Sequence, residues 1–192
     1  DLVDAELLRL VAMEEQIPDL HEGMIYAMGL DVPDRKVRGK RIRPVLCLVT
    51  AEALGAEARQ ALSFAAAIEL LHNFALIHDD IEDGDTHRRG RDSTYRRYGL
   101  PHGINIGDYM FAKVFSTVWR DPHQSLPVRE QLIELLNKTM DDLFVGQALD
   151  ISARRLDQFT MADYERLVMK KTGSYLAAPM LGGAIIAEAD EE

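Results

Sequence analysis

The most informative part of the chain is residues 70–83, which read LLHNFALIHDDIED. It completes an apolar run over residues 62–77 that contains no Pro or Gly. Large apolar side chains recur through the run at helical spacing, which predicts one long helix that is substantially buried. Four carboxylates follow within the five residues 79–83. The sequence therefore predicts a core helix with an acidic end.

The acidic end brings like charges together. Asp79 and Asp83 are one helical turn apart on one face, and Asp80 lies beside them. Carboxylates there repel each other and oppose the helix dipole, at a cost of about 0.3–1 kcal/mol each. A divalent metal or the basic residues 87–91 would offset this cost. A solvated, salt-bridged turn is the plain alternative, but the end of a buried helix favours a hard cation such as Mg²⁺, which takes few carboxylates plus water and substrate phosphates.

Composition bounds the class of protein. The 192 residues are 47% hydrophobic and 28% charged, which is typical of one globular domain with a sizeable core. The net charge of −10 argues against nucleic-acid binding. Cys47 is the only cysteine, which excludes an internal disulfide and a cysteine-rich metal site. The apolar runs are interrupted short of a membrane span and no secretory signal opens the sequence, so we expect a cytoplasmic protein with no membrane span.

The rest of the chain predicts further helices. Thr160 with Asp163 forms an imperfect capping box, and Gly182-Gly183 predicts close helix packing. No alternating strand pattern, Asn-Gly hairpin or internal repeat occurs, so we predict an all-α bundle of roughly seven or eight helices. The predicted helices cover residues 2–28 with a break at Pro18, then 45–54, 62–83, 102–119, 128–153, 160–171 and 174–189.

Basic residues are concentrated before and after the acidic helix. Residues 39–44 read GKRIRP and lead into a helix, so Lys40 and Arg43 would lie near its N-terminus, where backbone N–H groups favour anions. Pro44 suits a first helical turn. A basic surface loop is the alternative interpretation.

The polar residues together suit a diphosphate ligand. Mg²⁺ would bridge phosphate oxygens, Arg would form bidentate pairs and Lys would supply point charge. No Ser-His-Asp or Cys-His arrangement stands out, and no glycine-rich phosphate loop occurs. Chemistry would therefore depend on electrostatic stabilisation of a leaving group.

The order of the motifs resembles that of the trans-polyprenyl diphosphate synthases. The matching stretches are GKRIRP at 39–44, His72 with LIHDDIED at 76–83, RRG at 88–90, Gly146-Gln147 with Asp150, and KTG at 171–173. The resemblance implies a single polyprenyl synthetase domain over residues 1–192 with the isoprenoid-synthase helical bundle. It also implies a homodimeric prenyltransferase that condenses isopentenyl diphosphate with an allylic diphosphate head to tail.

The resemblance also assigns roles by position. Mg²⁺ would be bound by Asp79 and Asp83 with Asp80 in support. Isopentenyl diphosphate would be held by Lys40, Arg43, His72 and Arg89, and the allylic diphosphate by Arg88, Lys171 and Thr172. Gln147 would also contact substrate, and Asp79, Asp80, Asp83 and Lys171 would be catalytic. Phe74 and Ala75, just before the acidic cluster, would set the length of the prenyl product. An aromatic residue at this place resembles the pattern of short-chain synthases, which make geranylgeranyl or farnesyl diphosphate.

One departure from the family pattern concerns the end of the chain. The resemblance calls for a second aspartate-rich motif, and neither Asp141-Asp142 nor residues 187–192 supply it. We therefore expect a piece of a longer enzyme that lacks its C-terminal helices, or a shortened protein that needs a partner. Three other functions stay open: a non-catalytic regulatory subunit, a terpene cyclase, which needs no isopentenyl diphosphate site, and a metal phosphohydrolase built on His72 and His78-Asp79.

Overall fold

A computed structural model describes residues 2–12, 17–155 and 158–189. Helices dominate these ranges, which confirms the all-α prediction. The helices are α1 (Leu2–Val11), α2 (Pro18–Ala27), α3 (Arg35–Arg38), α4 (Ile42–Ala53), α5 (Ala58–Asp83), α6 (Thr94–Tyr98), α7 (Leu100–Trp119), α8 (Leu126–Ala153), α9 (Met161–Val168) and α10 (Ser174–Ile186). A π-helical turn, Met169–Gly173, joins α9 to α10, and β1 (His87–Arg88) pairs antiparallel with β2 (Arg91–Asp92).

The chain divides into two compact units. Unit 1 comprises residues 1–45 and 62–121, and unit 2 comprises residues 46–61 and 122–192. The single-domain organisation stays a prediction.

Proline positions agree with the predicted breaks in unit 1. Pro18 begins α2, as expected for a residue that lacks the N–H a later helical position would need. Residues 13–16, on the other side of this break, lie outside the described residues. So do the acidic residues 190–192 at the end of the chain. α4 begins at Ile42, three residues before the predicted start at residue 45, so Pro44 lies in its first turn.

The loop predicted over residues 84–101 contains more structure than its sequence indicated. The β1–β2 pair and the five-residue helix α6 both lie in it. Neither element is long enough to show a repeating apolar pattern. Contacts with distant residues hold the strand pair: Arg88 of β1 binds Asp80, and the Tyr26 hydroxyl donates to the carbonyl oxygen of Asp92. A periodicity argument cannot detect such contacts.

α5 is the buried helix that the sequence predicted. Along it Phe64, Ile68, Leu70 and Leu71 are almost fully buried. Among the described helices it is long and apolar enough to cross a membrane by length and composition, but 72% of its most apolar window is buried. The core helix of a globular protein passes the same test, so α5 gives only weak support for a membrane span.

The prediction that Thr172-Gly173 interrupts a helix is wrong. The chain stays helical through the π-helical turn into α10. A glycine within a helix costs only about 1 kcal/mol, which packing can offset. That packing comes from α8: a Cβ at Gly146 would lie 2.3 Å from the backbone N of Lys171, so α8 lies directly against the turn.

The predicted capping box and close helix packing at Gly183 are both present in unit 2. Thr160 accepts a hydrogen bond from the backbone N–H of Asp163, whose side chain bonds back to the N–H of Thr160. On α10, a Cβ at Gly183 would lie 2.6 Å from the carbonyl oxygen of Cys47 and 3.0 Å from the backbone N of Ala51. α10 therefore contacts the backbone of α4 at a glycine.

We predict that Gly183→Ala lowers the free energy of unfolding by about 1–3 kcal/mol, because the new methyl group meets backbone that cannot move aside. The control is Gly173→Ala, whose Cβ would meet chiefly the flexible end of Met169 and should leave stability unchanged or higher. Denaturant titration of both variants measures the difference. Equal effects at the two positions would show that close packing at Gly183 is not what matters.

Candidate active site

The acidic end of α5 faces a basic residue of β1. Arg88 binds Asp80 through Nη2 at 2.6 Å and Nε at 2.7 Å, and Nη2 lies 3.7 Å from Asp79. Asp80 is 2% exposed, and burial raises the pKa of its carboxyl while Arg88 opposes the shift. Asp79 and Asp83 remain accessible to solvent. Asp80 therefore holds the loop that carries Arg88, while Asp79 and Asp83 are accessible to solvent.

The donor set at this helix end suits Mg²⁺ only with help from other ligands. Within the described residues no group of three or more His, Cys, Asp or Glu side chains could hold a metal ion. Asp79 and Asp83 offer two carboxylates one helical turn apart. Mg²⁺ usually takes one or two carboxylates and fills its other positions with water and substrate phosphate. The residues fit that mode, and the metal role stays a prediction.

A basic cavity of about 190 Å³ lies in the same unit. It is lined by the four residues that are predicted to hold isopentenyl diphosphate. In the sequence these residues lie in three separate segments. Its lining residues are Lys40, Arg41, Ile42, Arg43, Glu69, His72 and Arg89. The structure thus brings the predicted set together, while the ligand assigned to it stays a prediction.

Arg89 links the basic cavity to the acidic end of α5. Its Nη1 donates to the carbonyl oxygens of Val37 at 3.1 Å and Arg38 at 3.0 Å. A Cβ at Gly39 would lie 2.8 Å from the Arg89 guanidinium, and the φ of +79° at Gly39 also disfavours a side chain, so glycine suits this position. Arg89 also lines a second cavity of about 30 Å³ that contains Asp80. The same side chain therefore borders both the cationic and the anionic regions.

His72 is neutral in this environment. Burial first, and then the positive charges of Arg43, Arg89, Arg88 and Arg41, lower the pKa of His72 to about 3. At neutral pH the imidazole therefore adds no charge to the cavity. It can instead donate one hydrogen bond to an anion held by its cationic neighbours.

Aromatic side chains lie one turn before the acidic cluster. Phe74 is 5% exposed, and its ring centroid lies 4.8 Å from that of Phe111 and 4.7 Å from that of His78. Phe111 in turn contacts Phe115 edge to face at 5.7 Å. α5 and α7 thus form an apolar wall, whose Phe74 lies five residues before Asp79 along α5. Ala75 is partly buried, and the chain-length role of both residues stays a prediction.

Unit 2 carries the remaining predicted residues. Lys171 lies on the π-helical turn, and its Nζ is 2.6 Å from Asp150 of α8. Lys170 pairs with Asp142, which also accepts a hydrogen bond of 2.6 Å from Ser174 Oγ. These contacts fix the π-helical turn, on which Thr172 is exposed. Gln147 lies three residues before Asp150 on α8 and is partly buried. Their substrate roles stay predictions.

Sequence reasoning missed the residues that hold the basic cavity in place. The sequence motifs assign no role to Arg41 between Lys40 and Arg43, yet Arg41 is 5% exposed and bonded to Asp4 and Glu69. The only sequence signal is that a third basic residue lies in the GKRIRP stretch. Its partners are 37 and 28 residues away, which no local pattern reports.

Comparisons with known proteins agree with this architecture. Residues 34–192 match the family model described as polyprenyl synthetase. A short chain isoprenyl diphosphate synthase from Methanocaldococcus jannaschii is 34% identical over 190 residues, which cover 99% of this chain and 54% of the relative. A geranylgeranyl diphosphate synthase from Methanosarcina mazei is 34% identical over 182 residues, covering 94% of this chain and 55% of the relative.

A solved structure of geranylgeranyl pyrophosphate synthetase from Pyrococcus horikoshii superposes with a TM-score of 0.89 at 32% identity, over 99% of this chain and 55% of that one. The fold is therefore the all-α isoprenoid synthase fold. The chain belongs to the polyprenyl synthetase family. It spans about half the length of the curated relatives it matches.

We predict that His72→Gln flattens the pH dependence of stability. Native His72 takes up its proton only near pH 3, whereas an unfolded histidine does so near its ordinary value of about 6.5. The stability contributed by neutral His72 is therefore complete above about pH 6.5 and is lost as the pH falls towards 3. Between about pH 7 and pH 5 the parent should lose about 2 kcal/mol more of its free energy of unfolding than the variant does.

Denaturant titration across this pH range measures the effect, with His87→Gln as the control because the His87 side chain is 67% exposed. The control should keep the parent's pH dependence. If His72→Gln also keeps it, the imidazole is not buried in neutral form.

Proposed function

We propose that this chain supplies the isopentenyl diphosphate site and the first metal-binding aspartates of a trans-prenyltransferase. The whole protein would condense isopentenyl diphosphate with an allylic diphosphate head to tail and release a short-chain product, geranylgeranyl or farnesyl diphosphate. One observation carries the proposal: Lys40, Arg43, Arg89 and neutral His72 line a single cavity. The names of the similar proteins support the reaction class.

The basic cavity suits a substrate that keeps its diphosphate. In head-to-tail condensation the allylic C–O bond breaks and its electron pair leaves with the diphosphate. The double bond of isopentenyl diphosphate forms the new carbon–carbon bond, and a proton is then lost. The isopentenyl diphosphate group is unchanged throughout, so its site needs firm binding without bond cleavage. Arg and Lys side chains with one neutral donor provide such binding.

The acidic end of α5 suits the departing diphosphate. Asp79 and Asp83 would hold Mg²⁺, which when bound would supply positive charge to the diphosphate as the C–O bond breaks. Arg88 lies beside these aspartates, anchored by Asp80, and adds fixed positive charge.

The aromatic wall suits the apolar part of the substrate. Phe74 and Phe111 present hydrocarbon surface one turn from Asp79. A carbocation formed there would be quenched by water, so an apolar lining protects it. The same wall limits the space for a growing prenyl chain.

The rival functions fit the structure less well. A metal phosphohydrolase would use His72, His78 and Asp79 as ligands, but the positive charges of Arg43, Arg89, Arg88 and Arg41 act on His72 and disfavour a metal ion there. His78 instead packs on Phe74. A terpene cyclase has no use for a second diphosphate cavity. A regulatory subunit without turnover is distinguished by the turnover assay below.

Homodimer formation and a cytoplasmic location also stay proposals.

We predict that Asp79→Asn and Asp83→Asn each lower turnover of the whole protein by about 10²–10³-fold, since each removes a proposed metal ligand that stabilises the leaving group. The assay supplies isopentenyl diphosphate, an allylic diphosphate and Mg²⁺. Glu82→Gln, an exposed neighbour with the same change of charge, is the control and should stay within about twofold. Full turnover in both aspartate variants would remove the metal assignment.

We predict that Phe74→Ala lengthens the products, because removing the buried ring enlarges the space for the growing prenyl chain along the apolar wall. Product lengths are measured by mass spectrometry after extraction. Phe144→Ala, on α8 and 47% exposed, should leave the products unchanged. An unchanged product distribution in Phe74→Ala would contradict the assigned role of this residue.

A further inference from the structure

Arg41 forms a buried hydrogen-bonded network beneath the basic cavity. Its Nη1 lies 2.7 Å from Glu69 Oε1, its Nε lies 3.1 Å from Asp4 Oδ1, and its Nη2 donates to the carbonyl oxygen of Met28 at 2.9 Å. Only 5% of Arg41 is exposed. Groups from α1, α5 and the end of α2 thus hold one guanidinium in three directions.

Each carboxylate in the network has a second donor. Asn73 Nδ2 lies 3.1 Å from Glu69 Oε1, and Arg38 Nη1 lies 2.9 Å from Asp4 Oδ2. The acids are therefore oriented from both sides and cannot swing freely. Since two carboxylates already bind its guanidinium, Arg41 is poorly placed to bind an incoming anion, although it lines the cavity. Buried charges are tolerated when they are paired in this way.

The backbone of Arg41 is unusual. Its φ is +49°, in the left-handed region that residues with a Cβ rarely adopt. Such a conformation persists only where surrounding contacts impose it. The bonds to Asp4, Glu69 and Met28 are those contacts. The chain turns at Arg41, and the side chains of Lys40 before it and Arg43 after it both line the cavity.

We propose that Arg41 is a positioning residue for the isopentenyl diphosphate site, fixed by Asp4 and Glu69 so that Lys40 and Arg43 reach the same anion. The inference rests on the proposed function. Through Asp4, α1 contributes to the site. Asp4 lies outside residues 34–192, the part of the chain that matches the family model.

The test uses Asp4→Asn and Arg41→Lys in the whole protein, both of which keep most of the side-chain volume. We expect each to raise KM for isopentenyl diphosphate about tenfold or more, because a small displacement of binding groups weakens binding strongly. KM for the allylic diphosphate should stay within about twofold, and Arg41→Gln should be worse than Arg41→Lys. The matched controls are Asp19→Asn, whose side chain is 64% exposed, and Arg35→Lys on the surface of α3.

The outcomes separate positioning from general stability. A lower melting temperature with both KM values unchanged would overturn the proposal, as would an equal rise in both values. Circular dichroism checks folding, and if Arg41→Lys does not fold, Asp4→Asn decides. If the unsubstituted protein shows neither turnover nor calorimetric binding of isopentenyl diphosphate, the proposed function fails and this inference fails with it. Unchanged KM values in active variants overturn the inference alone.

Discussion

The structure of unit 1 depends on how it accommodates positive charge beside one buried helix. Among the described residues, four cationic side chains and one carboxylate line the basic cavity. Arg41 is compensated internally by Asp4 and Glu69, and His72 is kept neutral by burial and by its cationic neighbours. The charge of Lys40, Arg43 and Arg89 thus remains concentrated on one small volume. A site of this kind stabilises a multiply charged anion because the cations are already assembled.

The two charged regions follow one another along α5. His72 and Asp79 are seven residues apart, which is about 10 Å of helix. Arg89 borders the basic cavity and also the smaller cavity that contains Asp80, while Arg88 binds the aspartates themselves. One rigid helix therefore sets the distance between a proposed site that retains its diphosphate and one that releases it. Phe74 lies between these two positions along α5 and packs on Phe111 of α7.

Much of this arrangement could be predicted from the sequence. The unbroken apolar run before Asp79 indicated α5, and the GKRIRP and RRG stretches indicated the cationic residues that meet around His72. The rest could not be predicted, because it depends on distant contacts or on backbone conformation. The positive φ of Arg41, its partnership with Asp4, and the π-helical turn held by Gly146 leave no periodic signal. The short β1–β2 pair and α6 were missed for the same reason.

A crystal structure of the whole protein with isopentenyl diphosphate bound would test the role of the basic cavity most directly. We expect the diphosphate to lie in the basic cavity, within hydrogen-bond distance of Lys40, Arg43 and Arg89, with His72 donating to it and Arg41 still bound to Glu69. A diphosphate bound elsewhere, with the cavity residues turned away from it, would show that the basic cavity is not the isopentenyl diphosphate site.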